Sequence, residues 1–400
     1  MLGLHNRPWN SVAKHLRTKY RVVAEIDFLD IDYDALKLYR VLSSLKKSSF
    51  DADEKILIYH YDLDFYGNLK YGVMIYNFLQ CVRSLDISPS VFVVLTSHYG
   101  LSKEIQQYWI THCDQFDSVN DAMTVFESNY QQLQSPEYPQ VTDLDIDKIS
   151  HAFICLCGQR RVHRMMFLCG LANQGIINQG LCSWHFDKQL RALAWKTVIL
   201  GWLKFLNPRQ IFDRKASVTQ YNLLSVYPKT FYNDEWPVNQ YFRDCYNQYH
   251  AQFETSYQDP LIKGTTNTYR FDLPTIKNAL LYVSIESVFE HPHVYFTEKT
   301  FKAIVMKRPF VIVGSVGSLA KLRELGFKTF DGFWNEDYDQ ESEPNQRLKK
   351  VLDITDRISQ LSVADLQQMC YNMQDILEHN AVHYREHYAQ QLLHERLKEL

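Results

Sequence analysis

Residues 280–330, LLYVSIESVFEHPHVYFTEKTFKAIVMKRPFVIVGSVGSLAKLRELGFKTF, decide the fold. The apolar run from Leu280 to Ile285 predicts a buried strand ending at the acidic Glu286, and a polar, histidine-rich loop follows. Thr297 then precedes Glu298, Lys299 and the helical spacing of Phe301, Ile304 and Val305, which predicts a helix start with charge at its mouth. A second buried strand, Pro309 to Val313, runs into Gly314-Ser315-Val316-Gly317-Ser318, and a helix rich in Leu, Lys and Arg begins behind it. Strand, loop, helix, strand, glycine turn and helix make a βαβ unit, and with it an α/β fold on a parallel sheet.

In such folds ligands settle at the carboxyl ends of the strands, where helix N-termini offer N–H groups to phosphate. Both strand ends here carry chemistry-bearing residues. Glu298 and Lys299 set a carboxylate beside an ammonium at one helix entrance, which suits a ligand with hydroxyls and phosphates, such as a nucleotide. The alternative is a surface ion pair with a helix cap.

Tyr295-Phe296-Thr297-Glu298-Lys299, preceded by Ser284-Ile285-Glu286-Ser287, resembles the donor-nucleotide signature of the alpha-1,3-fucosyltransferases and their phage and bacterial relatives. The resemblance implies two Rossmann-like α/β domains facing across a cleft, the GT-B arrangement. It implies Glu298 as the ribose ligand, Lys299 as a phosphate ligand and Glu286 as part of the same donor site. Lys302 lies one turn beyond Lys299 and can add a second positive charge.

The 400 residues are 46% hydrophobic and 14% aromatic, enough for two or three buried cores. A formal charge of −3 gives no global basic field for nucleic acid, although a basic cleft can sit inside a neutral average. Eight cysteines are scattered without a CxxC pair, Cys155 and Cys157 share one face of an apolar strand pattern, and buried reduced thiols in a cytoplasmic protein are the expectation. The N-terminus has no apolar signal region and no stretch is long enough to cross a bilayer, so no membrane insertion is expected.

Residues 1–145 are expected to form an acceptor-binding α/β domain. Lys55 to Tyr59 reads as a strand, Val73 to Leu85 as a helix, and Val91 to Leu95 as a second strand ending at Ser97-His98-Tyr99-Gly100. Asp62 and Asp64 follow the first strand. Their spacing matches carboxylates that hold a metal, but the same spacing recurs along the chain, and a general base toward an acceptor hydroxyl is the more economical role. Glu127 is a third candidate base.

The polar, proline-containing run 131–147 marks the domain boundary, and 146–375 is expected to bind the donor. Its first strand, His151 to Cys157, exits into Gly158-Gln159-Arg160-Arg161-Val162-His163-Arg164 and a helix, a ready anion site. By the resemblance either Arg161 or Arg164 reaches the donor diphosphate. Tyr269 and the His291-Pro292-His293 loop are further cleft candidates, and two imidazoles without a third ligand are a weak metal signal. The phage and bacterial relatives carry a run similar to Trp334, Glu336, Tyr338 and Asp339. Residues 376–400 can cross back to the N-terminal domain.

The expected protein is a glycosyltransferase moving a sugar from a nucleotide-diphosphate sugar to a hydroxyl, inverting, with no metal or other cofactor. Its partners would be the nucleotide sugar and a glycan or modified-DNA acceptor. The alternatives are a phage-type enzyme that glycosylates hydroxymethylated bases in DNA, and a non-catalytic nucleotide- or glycan-binding module.

Overall fold

The computed structural model describes residues 10–28, 35–46, 50–60, 77–112, 123–127, 144–157, 162–184, 277–289 and 293–388. They fall into two compact units, one comprising those within Met1–Tyr138, His291–Thr297 and Val382–Leu400, the other those within Pro139–Glu290 and Glu298–Ala381.

The first unit holds α1 (Asn10–Lys19), β1 (Arg21–Asp27), α2 (Ala35–Leu45), β2 (Glu54–His60), a helix α3 over 77–84, β3 (Phe92–Thr96), α4 (Leu101–His112) and β4 (Thr124–Glu127). The strands form a parallel sheet in the order β1-β2-β3-β4. Alternation along each strand sorts the side chains to two faces. Ile56, Ile58, Phe92 and Val94 pack with Leu38 and Leu42 of α2, Phe78 and Val82 of α3, and Leu101 and Ile105 of α4. Leu57, Tyr59, Val93 and Leu95 face Val12, Ala13 and Leu16 of α1. Each crossover steps one strand in the same direction, so right-handed connections put α2, α3 and α4 on one side, and α1 covers the other.

The loop ahead of Glu298, read from sequence as part of the donor domain, packs in the first unit instead. Tyr99 donates its N–H to Val294 O at 3.0 Å, a single antiparallel bridge that no local pattern announces. A π-helical turn at Tyr384–Tyr388 belongs to the same unit, where the Tyr388 and Tyr99 hydroxyls lie 3.2 Å apart.

The second unit is built on β5 (His151–Cys157), α5 (Val162–Asn173), β6 (Gly180–Trp184), β7 (Ala279–Ile285), α6 (Glu298–Val305), β8 (Phe310–Val313) and α7 (Ser318–Glu324). Beyond these come α8 (Pro344–Ser359), α9 (Val363–Asn372) and α10 (Gln374–His383). The sheet is parallel with order β6-β5-β7-β8, so its direction of travel reverses between β5 and β7. The crossovers from β5 to β6 and from β7 to β8 run in opposite lateral directions, and right-handedness therefore puts α5 and α6 on opposite faces. Helix α8 packs on α5, β5 and β8, so both faces are covered and all seven residues of β7 are buried.

Two features fix this unit. Arg308, 1% exposed, donates to Leu144 O and Lys277 O at 3.0 Å each, tying the entries to β7 and β8 to the segment that leads into β5. Gly180 stands opposite Phe153 in the β5–β6 register, and a methyl group there would run into the Phe153 ring. Gly180→Ala is expected to cost about 1–3 kcal/mol through overpacking. The check is the midpoint of denaturant unfolding, and an unchanged midpoint would show that the ring has room to move.

Candidate functional site

Polar groups in the second unit gather at the carboxyl edge of its sheet, around the reversal between β5 and β7. Strand β7 sends Leu280, Tyr282, Ser284 and Glu286 to one side by simple alternation. Glu286 is fully buried and joins four elements. Its N–H donates to Val313 O at the end of β8 (2.9 Å), and its carboxylate accepts from Thr300 Oγ1 of α6 at 2.6 Å. Its carbonyl oxygen receives His163 Nε2 at 2.9 Å and Arg164 Nη2 at 3.4 Å, both from the first turn of α5. Ser284 Oγ lies 2.9 Å from Thr300 Oγ1 and completes the chain of hydroxyls. A Cβ on Gly314 would come 3.0 Å from Ile312 Cγ2 and 3.3 Å from Ser318 Oγ, so a side chain there would crowd the turn after β8.

Helix α6 starts at Glu298, where an acidic side chain is favoured by the helix dipole. Lys299 Nζ donates to Glu298 Oε1 at 2.9 Å, with the two side chains 14% and 13% exposed. Burial opposes charge on Glu298, yet the nearby Lys299, its hydrogen bond and Lys302 outweigh that cost and hold the carboxyl below its ordinary value. Lys302 is buried, which pushes its ammonium down to about 8 from 10.5; Glu298 resists the change and Lys299 adds to it.

The linkage of Lys302 has a definite sign. Between about pH 8 and 10.5 the folded protein has released this proton while the unfolded chain still holds it, so stability from this group rises with pH across that window. Below pH 8 the full penalty of the buried ammonium applies, about 3 kcal/mol. Lys302→Met is therefore expected to melt at a higher temperature than the wild type at pH 7, with the gap closing toward pH 10. A gap that stays constant with pH would show that Lys302 keeps its charge throughout.

Three thiols line the same sheet beneath the polar edge. Cys155 and Cys157 point to one face with sulfurs 3.7 Å apart, and Cys182 stands opposite Cys155 in the register. The hydrogen bond from Cys155 lowers Cys157 against the cost of burial, helped by Arg164 and Lys299, whereas Cys155 is raised. Burial raises Cys182 and Tyr282, the latter also repelled by Glu298 and Glu286.

The structure thus brings together Glu286, Glu298, Lys299 and Lys302 with Arg164. Arg164 is not an exposed turn residue, because it is 1% exposed and holds the floor of the β5–β7 reversal through Glu286. Arg161, Asp62, Asp64, Tyr269, His291 and Pro292 lie outside the described residues. Glu127 ends β4, and its Oε1 accepts from Gly100 N at 3.0 Å and Ser102 N at 2.7 Å, a task that ties that oxygen to the start of α4.

The second helix mouth differs from the expectation of free N–H groups. Asp339 accepts from Leu319 N at 2.8 Å and Ala320 N at 2.9 Å, and its carbonyl accepts from Gly317 N at 2.8 Å. A protein carboxylate, supplied from a distant loop, already occupies the place an anion would take at α7. The aromatic-acidic run around it is likewise internal: Glu336 accepts from Phe330 N and pairs with Arg323, and Tyr338 OH receives Ile312 N at 3.2 Å. Sequence reasoning missed Thr300, whose hydroxyl links β7 to α6. A hydroxyl at the third helical position above a buried strand carboxylate was the only local signal.

Chemically, the α6 entrance offers an acceptor for hydroxyl protons in Glu298 and cationic donors for anionic oxygen in Lys299 and Lys302. Among the described residues no helix is long and apolar enough to cross a membrane, and no group of three His, Cys, Asp or Glu is placed to hold a metal ion. Compared with protein-family models, curated proteins and solved structures, the chain matches none of them.

Proposed function

We propose that the chain is a glycosyltransferase that takes a sugar from a nucleotide-diphosphate sugar and joins it to a hydroxyl, with inversion and without a metal. The observation that supports this best is the α6 entrance: Glu298 bonded to Lys299, with Lys302 behind them, at the carboxyl edge of a parallel sheet beside its reversal. A ribose diol can donate to the Glu298 carboxylate, while Lys299 turns its ammonium from Glu298 to the diphosphate. Charge growing on the departing diphosphate is then met by cations already in place, which is where such catalysis gains most. The second unit is the donor half in this reading and the first is the acceptor half, in the GT-B manner of two Rossmann-like domains facing across a cleft.

Attack by the acceptor oxygen forms the new bond at the anomeric carbon. The bond from that carbon to the phosphate oxygen breaks, its electron pair leaves with the diphosphate, and the acceptor proton passes to a base from the amino-terminal half. The test is a thermal-shift panel of GDP-, UDP- and CMP-sugars with and without EDTA. Stabilisation by a diphosphate sugar that survives chelation supports the reading. No shift with any of them, or a shift that strictly needs a divalent metal, overturns it.

A further inference from the structure

Three charged side chains share the entrance to α6, and they do not meet water equally. Glu298 and Lys299 are half-buried and bonded to each other at 2.9 Å. Lys302 follows three residues after Lys299 and four after Glu298, so it lies one turn deeper on the same side of the helix, where it is 4% exposed. A single carboxylate therefore serves two ammonium groups, and Lys299 already holds it.

The elements packed on α6 add little charge of their own. Strand β8 reads Phe-Val-Ile-Val and carries no titratable side chain. Strand β7 presents Tyr282, which burial and the repulsion of Glu298 and Glu286 keep neutral, and Glu286, whose carboxylate accepts from Thr300 Oγ1. At the end of β5, Cys157 feels both Arg164 and Lys299. For Lys302 itself, burial opposes the charge, Glu298 favours it and Lys299 opposes it, which leaves the ammonium at about 8. An amine so placed is charged only part of the time just above neutral pH. An anion arriving nearby changes that balance, because two unit charges about 8 Å apart at an effective dielectric of about 20 shift a protonation equilibrium roughly 30-fold.

We propose that Lys302 is the proton-coupled counter-charge of the donor site, taking up a proton from solvent when a nucleotide diphosphate settles at the α6 entrance and releasing it when the diphosphate leaves. This rests on the glycosyltransferase reading for where the diphosphate sits, and it adds a regulation of that site. One proton moves from water to the Lys302 amine; no bond to the ligand forms and no electron is transferred. A nucleoside diphosphate carries one more negative charge than the sugar donor it came from, so the coupling is stronger for the product. Mildly alkaline pH then loosens product more than substrate.

The experiment is titration calorimetry of the full chain with GDP and UDP at pH 7.5, 8.5 and 9.5, each in two buffers of different ionisation heat. The difference in heat between buffers counts the protons taken up. The wild type is expected to take up about half a proton or more at pH 8.5, and to bind about tenfold more weakly at pH 9.5 than at pH 7.5. Lys302→Met should bind without that uptake, leaving only any ionisation of the base itself. Lys302→Arg stays charged throughout, so its affinity at pH 9.5 should remain within about twofold of that at pH 7.5. Equal heats in both buffers for the wild type overturn the proposal, as does an uptake that survives in Lys302→Met or Lys302→Arg. Absence of nucleoside-diphosphate binding in the wild type at pH 7.5 instead removes the glycosyltransferase reading, and this proposal with it.

Discussion

Lys299→Ala is expected to weaken binding of a nucleoside diphosphate by about 2–3 kcal/mol, or roughly 30- to 150-fold, while the protein still folds. Two effects add. The ammonium that would meet the diphosphate is gone, and the Glu298 carboxylate, only 13% exposed, loses the partner 2.9 Å away that neutralises it. The uncompensated carboxylate then repels the anion it helped to orient. Stability should fall by about 1–3 kcal/mol, because a largely buried carboxylate loses its partner, while Lys302 and the helix dipole at the first turn of α6 still favour its charge. Titration calorimetry with GDP and UDP, alongside the melting temperature, separates the two outcomes. Equal affinity in the variant and the wild type would place the nucleotide elsewhere on the molecule.

Glu286→Ala is expected to have the largest effect on the fold of any change at the site. Removing a buried carboxylate leaves a void among α5, α6, β7 and β8 and takes the acceptor from Thr300 Oγ1. The loss should be about 3 kcal/mol, or roughly 6–12 °C in melting temperature for a unit of this size. Glu286→Gln keeps both the shape and an acceptor oxygen, and should cost only about 1 kcal/mol. Nucleotide affinity should follow the same order well below the melting temperature, because Thr300 sits two residues after Glu298 and its bond fixes how α6 meets the strand end. Melting curves of the two variants decide this. If the alanine variant melts with the wild type, the Glu286–Thr300–Ser284 chain contributes nothing to stability.

Within the second unit, most of the elements are visible in local pattern. The apolar runs at Leu280 to Ile285, Pro309 to Val313 and His151 to Cys157 coincide with β7, β8 and β5 because strands buried on both faces must be apolar throughout. The charged entrance at Glu298 and Lys299 is equally local: adjacent residues at a helix start are neighbours in any fold that keeps the helix. Two short strands, β4 and β6, carry no such signal, since four or five residues of mixed character resemble turns as much as strands.

The sequence by itself determined an α/β protein with parallel strands and the carboxylate–ammonium pair at one helix mouth, because hydrophobic period and helix-start chemistry act over a few residues. Tertiary structure alone decided what fills the remaining positions. Asp339 occupies the α7 mouth from twenty residues away, Arg164 turns inward to the Glu286 carbonyl, and the 293–297 segment crosses to the first unit to lay Tyr295 against His98. Each of these is a contact between segments whose separation in sequence carries no periodic signature. Only the requirement that buried polar groups find partners in the folded chain selects them.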